Sequence, residues 1–140
     1  MTVISIDAEN GINVKINIIK EGLKSVIVRK NTTERLSESV TYNGVIYFTG
    51  KLPADLSDSI EVQSNSVLQV LEEMLLRSGS SKKSILTAQV FLKHTEDAPV
   101  FNKIWNAWLP EGCDPTRICV QANMLNPAVL VEISLTAAAE

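Results

Sequence analysis

The chain has 140 residues, 45% hydrophobic and 21% charged, which suits one globular domain able to bury its own core. A net charge of −3 and a pI of about 5.2 give no pull toward nucleic acid or an anionic membrane, so neither partner is expected. Two cysteines and one histidine are too few for a disulfide framework or a zinc cluster, and no apolar run nears the ~20 residues that span a bilayer.

No basic-then-apolar leader opens the sequence, and the expectation is a cytoplasmic protein with reduced cysteines. Residues 1–34 are expected to be an N-terminal extension carrying two added strands. In one, Val14, Ile16 and Ile18 alternate with Lys15 and Asn17. Val26, Ile27 and Val28 suggest the other, and Asn31 to Glu34 reads as a polar loop. The domain proper is expected over 35–140.

Two β-rich runs, Glu38 to Tyr42 and Val45 to Thr49, are separated by Asn43-Gly44. That pair tolerates the positive φ values of a type I′ turn, so a hairpin is predicted. Gly50 and Pro53 end its second strand and leave backbone accessible at Gly50.

A helix should follow, capped by Asp58 with Glu61 completing a capping box. Its apolar stripe is Ile60, Val67, Leu71, Met74 and Leu75, and Gly79 suits the position after its end. Residues 84–93 read as a buried strand. Thr95 is expected to cap a second helix with Pro99 in its first turn and Val100, Phe101, Ile104, Trp105 and Trp108 as apolar positions; Pro110 stops it. Strands at 117–123 and 129–136 follow, with the Asn126-Pro127 turn between them.

The order β-β-α-β-α-β-β predicts an α+β fold, a mixed sheet with two helices on one face. Strands 84–93 and 129–136 look apolar on both faces, which points to a symmetric oligomer with ligand clefts between subunits.

Arg117 opens an apolar strand after Pro115. It is either a solvated arginine at a strand edge or a planar fork for a carboxylate. Glu132 lies between Val131 and Ile133 and points opposite to both; it is either an outward solvated acid or, near Arg117, a group that steers a water. Cys119 shares a sheet face with Arg117 and reads as a small buried hydrophobe, with no histidine near to make it a nucleophile. Trp105 and Trp108 read as packing residues; Asn102 could support a site. No phosphate loop or Ser/His/Asp set is present.

Four segments carry a resemblance. Pro115-Thr-Arg117-Ile-Cys119-Val-Gln121 followed by Val131-Glu132-Ile133, the helix pattern Asn102-x-x-Trp105-x-x-Trp108, and Tyr47-Phe-Thr-Gly50-Lys-Leu-Pro53 resemble, in register, the signature segments of the YjgF/RidA family. Val120-Gln121-Ala122 and Met124-Leu-Asn-Pro127 look most like its YoaB-like branch. The resemblance covers roughly residues 35–139 and implies a chorismate-mutase-like fold and a homotrimer with three inter-subunit clefts.

The implied activity is hydrolysis of reactive 2-imino or 2-enamino acids to 2-oxo acids and ammonia, without metal or cofactor. The alternative is a non-catalytic binder of small carboxylates such as 2-oxo acids. Carried over, Arg117 binds the carboxylate and Glu132 orients water. Gly50 and Cys119 contact substrate through backbone, and Asn102 is a polar site residue. The sequence departs from the family's deaminases in three places: Arg35-Leu36-Ser37 stands where they carry a tyrosine, Gln121 where they carry glutamate, and roughly the first 30 residues have no counterpart there.

Overall fold

The computed structural model describes residues 25–140, and the alternation at 14–18 lies outside them. Strand β1, Val28–Thr32, pairs antiparallel with β2, Ser37–Tyr42. Arg29, Lys30, Asn31 and Thr32 are all exposed, so this edge strand lacks the alternation that marks a half-buried one. Two of the residues expected in a loop, Asn31 and Thr32, are therefore in strand.

The hairpin between β2 and β3, Val45–Phe48, forms as its turn residues require. Asn43 and Gly44 take φ values of 51° and 77°. Both central positions of a type I′ turn demand that sign.

Helix α1 spans Ile60–Arg77. Its cap is Ser59, in extended conformation, whose hydroxyl accepts from the Val62 N–H at 3.2 Å. Asp58 lies one residue too early, so the Asp58–Glu61 capping box does not form. The C-terminus closes as predicted: Gly79, at φ +80°, donates to the Leu76 carbonyl and Ser80 to that of Leu75. This is the paired-bond ending that a left-handed glycine permits. Val67, Leu71, Met74 and Leu75 are fully buried, each contributing on the order of 1.5–3 kcal/mol.

Strand β4, Ile85–Leu92, leads through a short 3-10 turn at Thr95–Asp97 into helix α2, Ala98–Trp108. Thr95 starts that turn, and its hydroxyl meets the Glu96 carboxylate, not the helix. Phe101 and Trp105 are buried on α2, but Val100 faces solvent. Strands β5, Thr116–Gln121, and β6, Val131–Ala138, complete a mixed sheet.

The sheet order is β1-β2-β3-β6-β4-β5. Successive strands β5 and β6 are thus not neighbours: β6 lies between β3 and β4, antiparallel to both, and β5 runs parallel to β4 at the outer edge. The core joins α1 and α2 to Ile46, Phe48, Ala88, Val90, Leu92, Ile133 and Leu135 on one sheet face.

The opposite face departs from expectation at β6. There its residues Glu132, Ser134, Thr136 and Ala138 alternate with the buried ones, so that strand is apolar on one face only. The apolar surface of that open face comes from Tyr42, Tyr47, Ile118 and Val120, all exposed. Among the described residues, no helix is long and apolar enough to cross a membrane.

Candidate ligand-binding site

Strand register sorts the five candidate residues into two groups. Arg117 pairs with Ala88, and Ala88 with Leu135, a row that faces the helices. Cys119 pairs with Val90 on the same face and packs against the core. Asn102 sits on α2 directly over this row. Glu132 pairs with Phe91, and Phe91 with Val120, so it lies on the open face. Gly50, beside β6, lies against it. Arg117 and Glu132 of one chain therefore do not meet, because a period of two sends their rows to opposite sides of the sheet.

The Arg117 guanidinium lies against helix α2. Its Nη2 donates to Asn102 Oδ1 at 2.9 Å. The Phe101 and Trp105 rings lie 5.9 and 5.6 Å from its centre, within cation–π range. Its Nη1 is buried and has no hydrogen-bond partner. None of the ion pairs among the described residues involves Arg117. A guanidinium with one neutral acceptor and a dry, unpaired N–H edge is costly on its own, and a carboxylate is the group whose two oxygens fit that fork.

Glu132 is half-buried between the core residues Val131 and Ile133, and its carboxylate meets no hydrogen-bond donor among the described residues. The segment beside it is held tightly. Thr49 N–H donates to the Glu38 carbonyl at 2.9 Å, and Lys51 exchanges two backbone hydrogen bonds with Ile133, at 2.8 and 3.1 Å.

A cluster behind this segment has no signal in the sequence. The Glu38 carboxylate accepts from Lys51 Nζ at 2.7 Å, Arg77 Nη2 at 2.9 Å and Asn31 Nδ2 at 3.3 Å. The Lys51 hydrogen bond leads in holding its pKa down at about 2, against the opposing effect of burial. Donors from β1, from the segment after β3 and from α1 converge on one acid, which only the folded chain brings together. A groove of about 600 Å³ between α1 and α2, lined in part by Glu72, Lys103 and Trp108, contains none of the five candidates.

The family model described as "Endoribonuclease L-PSP" matches residues 27–139. The RutC family protein YoaB of Escherichia coli strain K12 is 40% identical over 113 residues, covering 80% of this chain and 97% of that protein. A protein named 3-aminoacrylate deaminase RutC, from Acinetobacter baylyi, is 28% identical over 123 residues, covering 81% of this chain and 97% of its own length. The crystal structure of a YjgF family member from Neisseria meningitidis superposes with a TM-score of 0.79 at 33% identity, covering 84% of this chain and 98% of the other.

Proposed function

Since this chain belongs to the endoribonuclease L-PSP, or YjgF/RidA, family, we propose that it is a hydrolytic deaminase of reactive 2-imino and 2-enamino acids. The products are the 2-oxo acid and ammonia. The observation that carries this reading is the buried, unpartnered Nη1 of Arg117 beside a guanidinium edge fixed by Asn102. The relative named as a 3-aminoacrylate deaminase supports the reaction class.

Opposite faces of one sheet cannot serve one small ligand. The reading therefore has Arg117, Asn102 and Cys119 of one subunit face Gly50 and Glu132 of the next, in the clefts of a homotrimer. Exposed Tyr47, Ile118 and Val120 supply apolar surface for that contact.

In such a cleft Arg117 grips the substrate carboxylate and so fixes the adjacent imine carbon. Glu132 takes a proton from water as the water oxygen bonds to that carbon, and the C=N electron pair moves to nitrogen. Glu132 returns that proton to the amine and then takes the hydroxyl proton as C=O forms, the C–N bond breaks and ammonia leaves; the proton left on Glu132, equal to the one that activated the imine, passes to solvent. The protonated imine is already electrophilic, so orientation and one base suffice. Backbone at Gly50 and Cys119 lines the substrate. An enamine substrate needs only prior protonation at carbon to enter the same path.

One observation favours a second reading, a non-catalytic sensor of small carboxylates. The stretch Arg35-Leu36-Ser37, where the family's deaminases carry tyrosine, holds no aromatic ring: Leu36 is exposed ahead of β2, and the Ser37 hydroxyl meets that of Thr32 at 2.8 Å. One assay separates the two. 2-Iminopropionate is generated in situ and its decay followed with and without protein, alongside thermal melts in 2-oxobutyrate. The deaminase accelerates the decay; stabilisation by the 2-oxo acid with no acceleration over buffer establishes the sensor instead.

A further inference from the structure

Gly44, Gly79 and Gly112 all take positive φ, and a Cβ on any of them would meet nothing within 4 Å. Gly50 is the reverse case. Its φ lies outside the left-handed region, so its backbone accepts any residue. What it lacks is space. A Cβ there would stand 2.5 Å from Glu132 Oε1, 3.3 Å from Cδ and 3.5 Å from Cγ.

We propose that Gly50 is the positioning residue of Glu132: its missing side chain is the seat in which that carboxylate rests. The inference rests on the deaminase reading of Glu132. Backbone movement cannot relieve the clash cheaply. Thr49 is tied to Glu38 and Lys51 to Ile133 on either side of Gly50, and the Lys51 ammonium is held by the Glu38 carboxylate. The Glu132 carboxylate, in contrast, is the free end of a side chain with no donor to hold it. An added methyl therefore moves the carboxylate and spares the fold. Steric fit, in place of a hydrogen bond, keeps the acid aimed while leaving all its lone pairs for water and substrate.

The test is a kinetic cycle on the assembled full-length protein: wild type, Gly50→Ala, Glu132→Asp and the double variant, assayed on 2-iminopropionate. Gly50→Ala should lower kcat about 100-fold, the scale of a displaced catalytic group, and leave KM within about threefold because Arg117 still holds the substrate. Aspartate retracts the carboxyl by one methylene, away from the new Cβ. In the Glu132→Asp background, Gly50→Ala should then cost less than threefold. An equal loss in both backgrounds, or a loss confined to KM, assigns Gly50 to substrate clearance and overturns the proposal.

A crystal structure of Gly50→Ala supplies a readout without turnover. Glu132 Oε1 displaced by about 1 Å or more supports the seat, whereas an unmoved carboxylate with a shifted Gly50 backbone overturns it. If wild type fails to hydrolyse the imine, the function proposed above falls. The crystal comparison then still decides whether Gly50 sets the place of Glu132.

Discussion

Replacing Arg117 with methionine tests whether its guanidinium is kept for a ligand or for the fold. In the empty protein the change removes one charge-assisted hydrogen bond to Asn102, worth about 1.5–3 kcal/mol. It also removes two ring contacts of about 0.5–1 kcal/mol each. Against these, it abolishes the burden of Nη1, a buried charged donor without a partner, on the order of 1–3 kcal/mol or more. Methionine also keeps an unbranched stem against Phe101 and Trp105. The losses exceed the relief by about 1–2 kcal/mol, so urea unfolding should place the variant within about 2 kcal/mol of wild type. Breaking a structural buried pair would instead cost about 3–5 kcal/mol. Ligand binding should behave differently. Two charge-assisted bonds to a carboxylate, about 3–4 kcal/mol together, correspond to a rise of roughly 10²–10³ in the Kd for 2-oxobutyrate by titration calorimetry. A variant that loses 3 kcal/mol or more of stability while its Kd stays unchanged refutes the argument.

Asn102→Asp should place a carboxylate on the same fork and compete from within the chain; the Kd for 2-oxobutyrate is expected to rise at least tenfold, read by the same calorimetry. Glu38, whose folded pKa of about 2 lies below its ordinary 4.5, stabilises the fold above pH 4.5. That contribution is lost as pH falls from 4.5 toward 2. Because the group is in partial contact with solvent, about 1–2 kcal/mol is expected. Urea midpoints at pH 7 and pH 3 should differ less in Glu38→Gln than in wild type. Gln63 is fully buried, donates to the Ser57 and Ala128 carbonyls and accepts from the Leu130 N–H. Gln63→Leu keeps the volume but orphans those groups, and should cost about 2–4 kcal/mol in urea unfolding.

The parts of the fold that local chemistry dictates were legible in the sequence. Asn43-Gly44 announced its hairpin, Gly79 its helix end, and the apolar stripe of α1 its buried face. Elements set by tertiary partners were not. β1 is polar and exposed because it sits at an edge, so no alternation marks it. Asp58 and Ser59 are both competent caps, and only the backbone decides between them. The apolar residues ahead of β6 include Val129 and Leu130, both buried; the Val129 N–H goes to the Asn126 carbonyl and that of Leu130 to the Gln63 side chain, so the strand starts two residues later than its hydropathy suggests. Within the site, alternation correctly placed Cys119 with Arg117 and Glu132 opposite its neighbours. Distance between the two charged residues depends on strand order, which the sequence does not carry, and so does the Glu38 cluster.

The position of β6 bears on how the protein is made. This strand joins β3 to β4, yet it is synthesised after α1, β4, α2 and β5. While the chain emerges from the ribosome, the β2–β3 hairpin and the β4–β5 pair stand as two half-sheets with bare inner edges. Neither bare edge finds its mate until residues 131–138 arrive as a keystone and close long loops at once. The nascent protein thus carries the bare β3 border through most of its synthesis and that of β4 once it is made, until β6 arrives.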